Sequence, residues 1–282
     1  MNRLKSIFIS SAVMVWAYFT FLAIIEITNS GVSIYNGGLM LISILPFGFF
    51  IFLLSIKPVA RTSSSLPIVT TLILLGVGIA LFGVYKQSIA SHYFYVALSS
   101  ITLWVIYVYW YSKMPVRTNE LVIGKKLPEL TFTNEENEEI STVAFKGKKV
   151  LYMFYRGNWC PLCMAQIKEI SAQYNELAKR GVEVLLISPQ PVSHSISLAK
   201  KMKVKFHFLT DKKNAMARKL RIDHKNGTPL GMEMFGYKSE TVLPTVIITN
   251  EQGQIIFVDQ TDNYRVRPEP NTFISILDGQ VV

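Results

Sequence analysis

The sequence has only two cysteines among its 282 residues, and they stand three positions apart, at Cys160 and Cys163. So few cysteines exclude a disulfide-stapled scaffold and confine any sulfur chemistry to one place. Acidic side chains are almost missing from the first part of the chain. Before residue 119 there are seven Lys or Arg and a single acid, Glu26, against 22 basic and 18 acidic residues after it. Also absent are a phosphate-binding glycine loop, a dinucleotide fingerprint, a serine-hydrolase elbow, internal repeats and low-complexity tracts. Nine Lys or Arg cluster between residues 200 and 221, without an aromatic platform or a nucleic-acid-binding module around them. They read as a solvated face, or as a patch that rests on anionic lipid, and nucleic acid is not an expected partner.

What fills the charge-poor part is hydrophobic. Four stretches, 6–25, 39–56, 66–85 and 93–111, are almost free of charge, and each is about the 20 residues a helix needs to cross a bilayer. Residues 1–118 are therefore expected to form a transmembrane region of four helices, with residues 119–282 as a water-soluble domain. The first run is long for a signal peptide and has no small-x-small cleavage site, so it is read as retained. Ionisable groups are missing from mid-depth, which argues against a transporter, and Glu26 reads as an interfacial residue. Arg3, Lys5, Lys57, Arg61, Lys113 and Arg117 fall on one side of the spans and Lys86 alone on the other. This bias predicts a multi-pass protein of a bacterial plasma membrane with the C-terminal domain in the cytoplasm.

In the C-terminal part, apolar runs alternate with helical spacing. Residues 127–133 and 140–145 read as a strand and its return, 150–155 as a strand covered on both faces, and 182–188 as another. Helical patterns follow Cys160 up to the stop at Gly181, then at 193–202, 213–220 and 271–277. Further strands are expected at 204–209, at 242–249 and at 255–259, the last two joined by a turn over 250–253. Strands alternating with helices predict an α/β fold whose mixed sheet has a parallel centre.

Trp159-Cys160-Pro161-Leu162-Cys163 lies where the strand at 150–155 passes into a helix. A helix N-terminus favours negative charge, so Cys160 is expected to carry a lowered pKa and to act as the nucleophile. Cys163, one turn on, is placed to resolve a mixed disulfide or sulfenic acid. Pro161 suits the first helical position and stiffens the loop between the sulfurs, while Trp159 is placed to shield one side. A zinc half-site would need two more ligands, but His92, His194, His207 and His224 show no ligand spacing and no other cysteine exists. Two inert core thiols are the other alternative.

This motif, together with Leu243-Pro244-Thr245 opening a later strand, resembles the thioredoxin superfamily over about residues 121–280. Phe154-Tyr155-Arg156-Gly157, Phe208-Leu209-Thr210-Asp211 and Tyr264-Arg265-Val266-Arg267 resemble its peroxiredoxin-like (AhpC/TSA) branch. The resemblance implies a thioredoxin-like fold with helices flanking the mixed sheet. It also implies a cis bond before Pro244 and a substrate-facing loop formed by Trp159, Pro161, Leu243, Pro244 and Thr245. The chain departs from the Pro-x-x-x-Thr-x-x-Cys pattern of typical peroxiredoxins, since Met153 stands at the proline and Gly157 at the threonine.

The expected activity is reduction of hydroperoxides by Cys160 and Cys163, with Arg156 and Arg265 or Arg267 as candidate cations beside the thiolate. An external dithiol such as thioredoxin would regenerate the pair, and no metal or other cofactor is implied. General reduction of protein disulfides and a membrane-tethered redox sensor are the alternatives.

Overall fold

In the computed structural model of the chain, residues 2–53, 59–115 and 120–279 are described. Lys57 and Arg117, which enter the charge-bias argument, and the 118/119 boundary lie outside them. The chain divides into two compact units, Ile7–Pro58 with Thr62–Lys113, and Met114–Val282 with the short segments Met1–Ser6 and Val59–Arg61.

The apolar runs form helices α1 (Asn2–Ser30), α2 (Ile34–Ile51), α3 (Pro67–Tyr85) and α4 (Tyr93–Ile106), the last extended by a π-turn over Tyr107–Tyr111. Four segments, with α4 counted through Tyr111, are long and apolar enough to cross a membrane. At 29 residues α1 exceeds the length a bilayer core requires. α2 starts five residues before the apolar run suggests, because Ser33 caps it by accepting the Asn36 N–H.

Packing in this unit depends on missing side chains. A Cβ on Gly76 would lie 2.6 Å from Leu41 Cβ and 3.0 Å from the Gly38 carbonyl oxygen, and one on Gly83 would lie 2.8 Å from Tyr35 Cβ. Small residues thus bring α2 and α3 into close backbone approach. Buried polar tips find partners: the Trp16 indole N–H donates to Ser100 Oγ at 3.1 Å, and Trp104 donates to Thr70 Oγ1 at 2.9 Å. Glu26 accepts hydrogen bonds from Ser30 at 2.8 Å and Tyr93 at 3.1 Å.

The second unit holds β1 (Thr131–Thr133), β2 (Glu139–Ser141), β3 (Lys149–Phe154), β4 (Val182–Ser188), β5 (His207–Thr210), β6 (Asp223–His224), β7 (Thr241–Val242), β8 (Thr245–Thr249) and β9 (Ile255–Asp259). Its helices are α5 (Pro161–Ala172), α6 (Tyr174–Lys179), α7 (Val192–Met202), α8 (Ala215–Lys219) and α9 (Pro270–Leu277). Seven strands form one sheet in the order β2-β1-β5-β4-β3-β8-β9. Its centre, β5-β4-β3, is parallel, and β8, β9, β1 and β2 run antiparallel at the two sides. This is the thioredoxin-like arrangement, a mixed sheet with helices around it.

β3 is buried at every position from Val150 to Phe154. One face, with Val150, Tyr152 and Phe154, joins Phe132, Leu185, Ile187 and Ile247 in a shared core. α9 packs against the edge strand β9 through Phe273 and Phe257, with ring centroids 6.1 Å apart.

Four expected strands are shorter than their apolar runs, among them 140–145, where the strand ends at Ser141 and a 3-10 turn follows over Thr142–Phe145. Only Thr131–Thr133 of 127–133 is strand, and β5 begins at His207 rather than at 204. The run at 242–249 is broken at Leu243-Pro244, because proline has no N–H for the ladder. No cis peptide bond occurs among the described residues, so the Leu243–Pro244 bond is trans, against the superfamily expectation. A trans bond carries the chain from β7 directly into β8, and it is also the lower-energy isomer. All nine basic residues from 200 to 221 are exposed.

Introducing leucine at Gly76 is expected to lower the thermal unfolding temperature of the detergent-solubilised protein. Gly78→Leu, where nothing lies within 4 Å of the added Cβ, should leave it unchanged. Differential scanning fluorimetry of the two variants checks this.

Candidate active site

β3 delivers the chain to the motif. The Tyr155 N–H bonds to the Ile187 carbonyl at 2.9 Å, prolonging the β3–β4 ladder, and the strand then turns through Gly157. Gly157 has φ +145°, and a Cβ there would lie 2.8 Å from Trp159 Nε1. Glycine is thus required twice over, by backbone and by space, where typical peroxiredoxins carry threonine. Cys160 then caps α5 with extended backbone, and Pro161 opens the helix.

The two sulfurs are 2.9 Å apart and share a hydrogen bond as free thiols, with Cys160 2% exposed and Cys163 fully buried. Two arginines close around them. Arg267 donates from Nη2 to Cys163 Sγ at 3.5 Å, from Nη1 to Gln166 Oε1 at 2.8 Å and from Nε to the Tyr264 carbonyl at 3.1 Å. Arg156 bonds the Gly227 carbonyl and lies 4.6 Å above the Trp159 ring and 5.7 Å from that of Tyr264. Neither is the solvated surface residue that an arginine usually is, since Arg156 is 5% and Arg267 6% exposed. Arg265 is also buried.

These contacts act on the two thiols in opposite directions. On Cys160, burial, the hydrogen bond with Cys163 and the charge of Cys163 raise the pKa, against smaller lowering by Arg267 and Arg156. On Cys163, burial also raises it, but the hydrogen bond shared with Cys160, the Arg267 guanidinium and the Arg156 backbone N–H outweigh burial and lower it. The sequence pointed to Cys160 because of the helix N-terminus. Its side chain, however, makes no capping bond to the first-turn N–H groups.

Behind the motif lies a buried polar network built on Gln190. Its amide donates to Tyr155 Oη at 2.9 Å, Asn158 Oδ1 at 3.1 Å and Ser195 Oγ at 3.3 Å, and its Oε1 accepts the Asn158 N–H at 2.9 Å. It fixes the loop two residues before Cys160. Burial, and next the charge of Cys163, raise the Tyr155 phenol well above its ordinary value.

The segment expected to face substrate is next to the motif but spends its groups internally. The Phe154–Thr245 pairing sets the start of β8 beside the end of β3, and Thr241 Oγ1 donates to the Arg156 carbonyl at 2.7 Å. The Leu243 N–H bonds to the Ile222 carbonyl at 2.8 Å and the Thr245 hydroxyl to the Leu243 carbonyl at 3.0 Å. Gln166 and Gln190 escaped sequence reasoning. For Gln166 a signal existed: it is the polar residue within a buried stripe that includes Leu162, Cys163, Ile167 and Ile170. Gln190, in a loop between prolines, offered none.

A buried Cys-x-x-Cys pair at the start of a helix, on a thioredoxin-like sheet and beside two guanidinium groups, defines a dithiol oxidoreductase. Comparison with known proteins gives the family: the model of the AhpC/TSA family matches residues 123–258. A Coxiella burnetii protein that carries the name peroxiredoxin bcp is 30% identical over 133 residues, covering 47% of this chain and 84% of that protein. The chain thus belongs to the AhpC/TSA family of thiol-dependent oxidoreductases. The thiol-disulfide oxidoreductase ResA of Bacillus cereus is 27% identical over 160 residues, 56% of this chain and 79% of its own. Among solved structures, the peroxidoxin BcpB of Mycobacterium tuberculosis aligns with a TM-score of 0.47 at 13% identity, over 57% of this chain and 98% of that one. Arg267 lies beyond the residues that the family model matches.

Gln190→Ala leaves the buried groups that Gln190 satisfies without partners, and is expected to cost about 1–3 kcal/mol of stability. Chemical denaturation of the full-length protein in detergent measures it.

Proposed function

We propose that the protein is a membrane-anchored, thiol-dependent peroxidase in which Cys160 and Cys163 reduce hydroperoxides. The observation that carries this reading is the burial of both thiols against Arg156 and Arg267. A thiol 2% exposed is within reach of a small hydroperoxide far more readily than of a disulfide on a folded protein. A nearby guanidinium stabilises both a thiolate and the alkoxide that departs when the O–O bond breaks.

In the chemistry proposed, Cys160 sulfur attacks one peroxide oxygen, the O–O bond breaks, and the alkoxide takes a proton to leave as alcohol. Cys160 is left as a sulfenic acid. Cys163 attacks that sulfur, expels hydroxide, which is protonated to water, and closes the disulfide. An external dithiol such as thioredoxin reduces it. In this reading Trp159 and Pro161, beside Cys160 in the chain, and Leu243, Pro244 and Thr245, at the start of the strand next to β3, are the substrate-facing residues.

A second reading is general thiol-disulfide exchange. Gly157 removes the threonine hydroxyl of typical peroxiredoxins, and the similarity to a protein named as a thiol-disulfide oxidoreductase points the same way.

The full-length protein in detergent, supplied with a dithiol donor, is expected to consume hydroperoxide, and Cys160→Ser to abolish consumption. Reduction of insulin disulfides without peroxide turnover would replace the first reading by the second. Stoichiometric oxidation without turnover would instead favour the redox sensor.

The apolar helices and the basic bias of their flanking residues support a multi-pass protein in a bacterial plasma membrane, with the redox domain in the cytoplasm. After reduction, a membrane-impermeant thiol reagent is expected to label the protein only once cells are permeabilised. Strong labelling of intact cells would place the domain on the opposite side.

A further inference from the structure

We propose that Cys163, besides closing the disulfide, is the resting thiolate and the base that deprotonates Cys160, and that Gln166 is the positioning residue that aims Arg267 at it. The proposal deepens the thiol-dependent reading above and rests on it.

The charge distribution around the pair is asymmetric. Arg267 hydrogen-bonds to three groups, the Tyr264 carbonyl, the Gln166 amide oxygen and Cys163 Sγ. Two of the three are neutral. Asp259 acts on this guanidinium only as a further favourable charge, after the two cysteines. A guanidinium 6% exposed needs a counter-charge, and among the described residues the acceptor hydrogen-bonded to it that can supply one is the Cys163 sulfur. Cys160 has no such contact among its hydrogen bonds. It faces Cys163 at 2.9 Å, within hydrogen-bond distance, so a proton can pass between the two sulfurs. The directions in which burial and charge move the two thiols agree with this arrangement.

Gln166 sets the geometry. It follows Cys163 by three residues on α5, so the two side chains share one face of the helix. Arginine can only donate, so the amide oxygen must be the atom that meets Arg267. The amide nitrogen is buried without a hydrogen-bond partner. A side chain that leaves one end unsatisfied in the interior is held there by what its other end does, and that end orients the guanidinium.

The proton balance then closes within the pair. Cys163 thiolate takes the proton of Cys160, and Cys160 thiolate attacks a peroxide oxygen. As the O–O bond breaks, the alkoxide recovers that proton from Cys163. Cys160 is now a sulfenic acid and Cys163 is again a thiolate, ready to attack the Cys160 sulfur and expel hydroxide. One residue serves as base, then acid, then nucleophile.

The test is a thiolate titration of reduced full-length protein in detergent, read as the rise in ultraviolet absorbance over the fully protonated, low-pH form of the same variant. Cys160→Ser is expected to retain a thiolate that titrates below the ordinary thiol range. Cys163→Ser is expected to lose it and leave Cys160 titrating at higher pH. Gln166→Met, with circular dichroism unchanged, should move the midpoint up by about one pH unit or more, a tenfold loss of thiolate at a fixed acidic pH. The pH profile of peroxide consumption should move with it. A low-titrating thiolate that survives Cys163→Ser overturns the proposal, and an unmoved midpoint in Gln166→Met removes Gln166 from it. If Gln166→Met fails to fold, the two cysteine variants still decide the base. The titration needs no substrate, so the expected pattern without peroxide turnover would sink the peroxidase reading and leave the ionisation order standing.

Discussion

The interaction on which the site depends is the contact between the Arg267 guanidinium and the Cys163 sulfur. A buried cation is costly unless something nearby offers it negative charge, and a buried thiol gives up its proton only where a cation makes that favourable. Each group meets the need of the other. The rest of the site serves this pair: Pro161 starts the helix that turns Cys163 inward, Gln166 and Tyr264 each accept from a further donor of Arg267, and β3 brings Cys160 alongside. The Gln190 network holds the preceding loop so that the sulfurs stay 2.9 Å apart.

The outline of this molecule was legible in its sequence where a single strong signal acted alone. Charge-free runs of bilayer length gave the apolar helices, and the uninterrupted apolar strands at 150–155 and 182–188 gave the centre of the sheet. The reading failed where a local preference met a tertiary constraint. Leu243-Pro244 looked like strand interior but breaks the ladder, and the two-residue β6, which pairs with β7, is too short for any periodicity to reveal.

The candidate site shows the same division. Cys160, Cys163 and Pro161 were marked by their spacing and place on the helix. Arg267 was marked only by the resemblance of the Tyr-Arg-Val-Arg segment, since 104 residues separate it from Cys163. The helix N-terminus that points to Cys160 is a local feature, whereas the guanidinium that touches Cys163 arrives from the end of the domain. No pattern along the chain encodes which sulfur it will touch.

Gly157 carries a consequence for how this chemistry can change. Its backbone angle strains any side chain, and the indole of Trp159 would have to move to admit one. A hydroxyl at this position, which typical members of the branch use, is therefore not one substitution away. The Trp159 ring, which stacks on the guanidinium of Arg156 at 4.6 Å, would have to shift with the turn. Between the dithiol site with an indole lid and a threonine-assisted one lies a gap that single replacements do not bridge, so the two designs stand as separate solutions on one fold.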